Sequence, residues 1–140
     1  MKTVIILAIL VCNLMAISVH DAAWLLGAQT DLNKAFEKAK NEKKKMVLLV
    51  IVKDDCNWCE KMVYDTLKDT TIQDSLANMV TVVIDINGKL PDEFKVTTTP
   101  AIFFIDVKSK KSVLGNVGYI KKGSFQIDII SAKEMIELQE

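Results

Sequence analysis

The chain alternates between solid apolar runs and runs with an apolar stripe. Residues 46–52, MVLLVIV, hold no polar side chain. At seven residues, rich in valine and isoleucine, the run predicts a strand buried on both faces. Residues 80–86 repeat the pattern more weakly and predict a second strand. Upstream, Leu32, Ala35, Phe36 and Ala39 recur at i, i+3, i+4 and i+7, one helical face, with Thr30 or Asp31 able to cap it. Downstream of the first strand, Cys59, Met62, Val63 and Leu67 share a face of a helix expected to open at Cys56.

The break at Asp69-Thr70-Thr71 leads to a shorter helix over residues 72–77, and Asn87-Gly88 turns the chain. Residues 91–94 predict one helical turn. Residues 101–106 and 112–114 read as a hairpin around the charged turn at 108–111, with Gly115 and Gly118 interrupting any continuation. Ser124 is expected to cap a final helix whose buried stripe is Phe125, Ile129, Ala132 and Ile136. Strand, helix, strand implies a parallel pair, and the hairpin adds antiparallel strands. The sum is an α/β fold, a mixed central sheet with helices on both faces.

Residues 1–18 stand apart. Lys2 precedes an apolar run, and Ala16-Ile17-Ser18 fits the small-x-small rule, which predicts a signal peptide cleaved before Val19. The run is too short for a comfortable membrane span, so membrane attachment is expected only if the signal stays uncleaved. A lipid on Cys12 would need a small residue before it, and Val11 is there. Residues 19–29 form a lead-in with Trp24 and Leu25-Leu26 as docking points, and residues 30–140 form the domain. The expected location is periplasmic, or otherwise exported.

Composition supports a folded domain: 50% of the 140 residues are hydrophobic and 26% are charged. The formal net charge is zero and every basic side chain is lysine. A nucleic-acid partner is not expected, because that needs a clustered basic surface and usually arginine forks. Lys43-Lys44-Lys45 reads as a solvated helix end.

Once the signal leaves, Cys56 and Cys59 are the cysteines that remain. A bridge across two intervening residues closes a very short loop and removes little unfolded-state entropy, so stability is a poor reason for the pair. Disulfide exchange is a better one. It needs a thiolate that attacks and a second thiol that resolves the mixed disulfide. At a helix start, unpaired N–H groups and the dipole favour a negative sulfur. Cys56 is therefore the expected exposed nucleophile and Cys59 the buried resolving thiol.

Zinc needs about four ligands, and the single histidine, His20, lies in the lead-in. Attached haem would need histidine where Glu60 stands. A two-thiolate copper(I) site is chemically compatible with the pair. Trp58 sits one residue off the buried stripe and is expected to be partly exposed beside the sulfurs, where it can touch substrate. Tyr64 is equally consistent with plain packing. Asp54 and Asp55 oppose a second anion at Cys56, and Lys53 offsets one charge at most. That balance predicts a pair on the reducing side.

The chain resembles the thioredoxin superfamily. The likeness rests on VLLVIVKDDCNWCEKM, TVVIDIN and VTTTPAIFFID, with GNVGYIKKGSF similar to the family's glycine-containing approach to its last helix. The resemblance implies that Thr99-Pro100 is a cis-proline site that faces the disulfide and holds substrate backbone. DLNKAFEKAKNEKKKMVLLVI looks closest to the opening of exported thiol–disulfide interchange proteins.

The chain also departs from thioredoxin proper. Asp55 stands where the family has tryptophan, Asn57-Trp58 replaces Gly-Pro, and Val50 replaces the buried aspartate thought to deprotonate the second thiol. Glu60 or water is left to accept that proton. The expected activity is a protein-disulfide oxidoreductase, a reductase or isomerase, that needs no cofactor. Its expected partners are protein thiols and disulfides and a membrane electron donor. The competing reading is a binding module on the same fold, a copper(I) chaperone or redox-inert adaptor.

Overall fold

The computed structural model describes residues 17–139. Of the expected signal peptide, residues 1–16 lie outside that range. Ile17 is buried, and the Ser18 hydroxyl caps the first helix by accepting from the Asp21 N–H at 3.0 Å.

The elements in order are α1 (Val19–Leu25), α2 (Leu32–Asn41), β1 (Met46–Val52), α3 (Asn57–Lys61), a π-helical turn (Met62–Leu67), α4 (Thr70–Leu76), β2 (Met79–Asp85), a 3-10 turn (Asp92–Phe94), β3 (Ala101–Asp106), β4 (Ser112–Val117) and α5 (Lys122–Glu137). The four strands form one mixed sheet in the order β2-β1-β3-β4. β1 runs parallel to β2, with Val50 opposite Val83, and antiparallel to β3, with Val50 opposite Ile102. β3 and β4 are antiparallel.

All seven residues of β1 are buried, as its unbroken apolar run requires. Alternate side chains enter opposite layers. Met46, Leu48, Val50 and Val52 pack toward α1, α3, α4 and α5, while Val47, Leu49 and Ile51 pack toward α2 and the 3-10 turn. Each such side chain contributes about 1.5–3 kcal/mol by leaving water. The cores therefore fix where β1 ends, and the chain emerges at Lys53 with little freedom.

Several local expectations change. The lead-in is helical, and Trp24 does not dock: it is 80% exposed. Ala22, Ala23 and Leu26 take the buried face instead, because small side chains let α1 lie close against the sheet. The face through Met62 and Leu67 is buried as expected, but the helix widens into a π-turn there, which adds buried Thr66 to it. α4 starts at Thr70, two residues early, since the Asp69 carboxylate accepts from the N–H groups of Thr71 and Ile72.

β4 runs through Gly115 to Val117. Glycine does not break the strand; it makes room, since a β-carbon at Gly115 would stand 2.5 Å from the Phe103 ring. The strand ends at Gly118, whose φ of +102° suits glycine. α5 begins at Lys122 without a side-chain cap, and Ser124 lies exposed in its first turn. The expected stripe of Phe125, Ile129, Ala132 and Ile136 is buried. Among the described residues no helix is long and apolar enough to cross a membrane.

Candidate active site: a dithiol facing a cis-proline loop

Beyond Val52 the chain turns through Lys53, Asp54 and Asp55, all exposed. Asp55 takes φ +53°, a left-handed conformation that aspartate tolerates better than most side chains. The turn delivers Cys56 to the N-cap of α3, one residue before the helix proper. Its Sγ accepts from the Cys59 N–H at 3.1 Å, as a capping oxygen would elsewhere. Cys56 and Cys59 are joined in a disulfide with their Cα atoms 5.2 Å apart.

Cys59 is wholly buried and Cys56 is 6% exposed. Cys56 is the less buried of the two residues, but it is not the exposed cysteine that was expected. The reason is Thr99, whose Oγ1 lies 3.4 Å and whose carbonyl oxygen lies 3.8 Å from Cys56 Sγ. A disulfide sulfur carries no proton, so the Thr99 hydroxyl is the donor here. The Thr99–Pro100 bond is cis, and both residues are buried. The structure thus brings together Cys56, Cys59 and Thr99-Pro100 at one end of the neighbouring strands β1 and β3, where Ile51 stands opposite Ala101.

Trp58 is 57% exposed, beside buried Cys59 in α3. Its ring centroid is 5.6 Å from that of Tyr119, tilted by 34°. Lys61 Nζ lies 5.6 Å from the Trp58 ring and 5.4 Å from the Tyr119 ring, both within cation–π range. The segment that carries Tyr119 is tied at both ends. The Gly118 N–H donates to the Pro100 carbonyl at 2.7 Å, and Thr66 Oγ1 donates to the Ile120 carbonyl at 2.8 Å. Sequence reasoning missed Tyr119, Lys61 and Thr66. Lys61 had a signal, since it follows Trp58 at i+3 on one helix.

Val50, which stands where thioredoxin proper has a buried aspartate, is fully buried, and Glu60 is half-buried. Among the described residues the buried polar side chains are Thr66 and Thr99, so no carboxylate is buried near Cys59. No cluster of three or more His, Cys, Asp or Glu suited to a metal is found among the described residues. His20 is exposed in α1, and Tyr64 is half exposed beneath Lys68 Nζ, 5.3 Å from its ring.

Solved structures share this architecture. A thioredoxin from Thermus thermophilus superposes with a TM-score of 0.65 at 18% identity, over 76% of this chain and 86% of its own. The reduced C-terminal domain of Neisseria meningitidis DsbD gives 0.60 at 20% identity, over 72% and 93%. A protein named DsbH oxidoreductase gives 0.54 at 21% identity, over 87% and 89%. No curated protein sequence matches the chain. The sequence profile described as Thioredoxin-like domain matches residues 32–129, from the start of α2 into α5 and across the disulfide and the cis-proline loop, and the chain belongs to that family.

Proposed function

We propose that the protein is an exported thiol–disulfide oxidoreductase that acts on protein disulfides, as a reductase or isomerase. The observation that carries this reading is the Cys56–Cys59 disulfide at the mouth of α3, with Cys56 Sγ 3.4 Å from Thr99 Oγ1 beside a cis proline. That arrangement gives a sulfur pair two electrons to exchange and a backbone edge beside it to hold a substrate strand. Among the similar structures, one domain appears in both reduced and oxidised forms, which suits a fold that shuttles between them.

In the reduced protein, the Cys56 thiolate attacks one sulfur of a substrate disulfide. A Cys56–substrate bond forms, the substrate S–S bond breaks, and the other substrate sulfur leaves as a thiolate that takes a proton from water. Cys59 then gives up its proton and attacks Cys56 Sγ. The internal disulfide closes, the mixed bond breaks, and the first substrate sulfur leaves and is protonated. Two electrons pass from the dithiol to the substrate. With no buried carboxylate among the described residues, water or Glu60 takes the Cys59 proton. A membrane electron donor restores the dithiol.

The test is reduction of insulin disulfides by the reduced protein, set beside copper(I) titration of the same sample. Turnover with weak copper binding supports the oxidoreductase. Tight stoichiometric copper binding without turnover points to the chaperone instead. The export reading rests on Lys2, the apolar run and Ala16-x-Ser18. It predicts a mature N-terminus at or near Val19, and recovery of Met1 from the native host would refute cleavage.

A further inference from the structure

We propose that Tyr119, set against Trp58 and braced by Lys61, is a specificity-determining residue that selects substrates with a large apolar side chain beside the reactive sulfur. The inference rests on the oxidoreductase reading above and concerns which disulfides that site prefers.

The chain keeps an aromatic surface in water at this place. Trp58 is 57% exposed, Tyr119 is half-buried, and Val117, one residue before Gly118, is 58% exposed. All three stand where the sheet ends at the disulfide: Val117 is opposite Ala101, the residue after Pro100, and Trp58 lies between the two cysteines. Exposed rings of this size cost solvation, and a substrate side chain that covers them recovers it.

The surface is also tied to its surroundings. The rings are 5.6 Å apart, and Lys61 Nζ sits within 5.6 Å of both centroids. Gly118 donates to the Pro100 carbonyl at 2.7 Å, which ties the segment that carries Tyr119 to the cis-proline loop. Ile120 is fixed to Thr66 by a 2.8 Å bond, so the same segment is anchored to the π-turn that follows the helix of the cysteines. Thr66 is fully buried inside a π-turn, an irregularity common at functional sites. Its hydroxyl acts through Tyr119, and it is a positioning residue. Preorganisation of this kind lowers the ordering cost of binding.

The chemistry this surface takes is apolar. Trp58 and Tyr119 offer ring faces, and Lys61 is already stacked on both. Asp54, Asp55 and Glu60 flank the cysteines in sequence against Lys53 and Lys61, so the segment carries a small acidic excess that disfavours acidic flanks. A phenylalanine, leucine or tryptophan next to the substrate cysteine fits; an aspartate or glycine does not.

The experiment uses two mixed-disulfide peptides with glutathione, alike except for phenylalanine or glycine beside the cysteine. The reduced protein should cleave the phenylalanine peptide with a kcat/KM about fivefold higher, mostly through KM, the order an aromatic contact contributes. Tyr119→Ala should bring the ratio close to one. Thr66→Val should lower it, and Thr66→Ser, which keeps the hydroxyl, should restore it. Trp24→Ala, which removes an exposed tryptophan outside the site, should leave the ratio unchanged. Equal cleavage of both peptides by the wild-type protein, or an unchanged ratio in Tyr119→Ala, overturns the specificity assignment and leaves the oxidoreductase reading standing. Failure to cleave either peptide overturns both.

Discussion

Asp55 and Lys43 hold nearly the same left-handed backbone, φ +53° and +55°, at opposite ends of β1. At Lys43 the turn closes α2 by ordinary means. The Lys44 N–H returns to the Ala39 carbonyl at 2.8 Å, and the Lys43 side chain faces water. Glu42 pairs there with Lys44 at 2.9 Å, in a partly exposed ion pair. At Asp55 the same twist sets a sulfur on a helix cap, 3.4 Å from a threonine of another strand loop. One turn only reverses the chain. The other places chemistry, and around it lie the cis bond, the π-turn and Thr66 and Thr99, the buried polar side chains among the described residues. A strained backbone marks a site only where other elements converge on it.

The largest effects should come from the sulfurs at the Asp55 end. Cys56→Ser should abolish disulfide exchange. Cys59→Ser should leave attack intact but block resolution, so mixed disulfides with substrates accumulate and show as high-mass bands on non-reducing gels. Equal trapping by both variants, or none by either, removes the assigned roles. Pro100→Ala should prolong the trapped complexes.

Charge changes at the two turns should separate them next. Asp54→Asn with Asp55→Asn removes two negative charges near Cys56 and should move the reduction potential toward the oxidising side. The expected shift is on the order of 20 mV, the two-electron equivalent of about 1 kcal/mol of Coulomb energy. Lys43→Gly should relieve its left-handed backbone, raise stability by about 0.5–1 kcal/mol and leave the potential alone. A potential that follows Lys43 and ignores the aspartates would erase the contrast between the two ends.

The smallest effects should appear in pH-dependent melting. A hydrogen bond from Lys44, ahead of the ion pairs with Lys44 and Lys38, holds the Glu42 carboxyl below its ordinary range. Its stabilisation is present above the unfolded pKa and is lost as pH falls through the folded one. Asp128, bonded to Asn116 Nδ2 at 2.9 Å near the disulfide end, is raised by burial. Its charge therefore weakens the fold once pH rises through its folded pKa. Melting curves at neutral pH should show a small loss for Glu42→Gln and a small gain for Asp128→Asn. Both differences should fade below the carboxylate range, and same-sign changes would contradict these environments.

The sequence carried the parts of this site that obey local rules. The unbroken run of β1, the helical stripe of α2 and the apolar face below Cys59 are each local patterns, so their burial was legible. The cis-proline loop was legible through resemblance, because Thr99-Pro100 stands at the right distance from Cys-x-x-Cys. What escaped depends on contacts between distant segments. The bond from Thr66 to Ile120 spans 54 residues, and nothing local to either announces it. Tyr119 gains its place from that bond and from Pro100. Trp24 read as a docking point, yet it is 80% exposed with no ring or cation beside it among the described residues. Gly115 read as a break because its close neighbour, Phe103, lies on another strand.

The central claim is that Cys56 and Cys59 form a reversible redox pair on the reducing side, and a glutathione redox titration of the purified protein tests it most directly. One two-electron transition is expected, followed by thiol labelling of both cysteines together, with a midpoint closer to the roughly −270 mV of thioredoxin than to the roughly −120 mV of strong oxidants. A midpoint near the strong oxidants, or sulfurs that fail to interconvert across the titration, would contradict it.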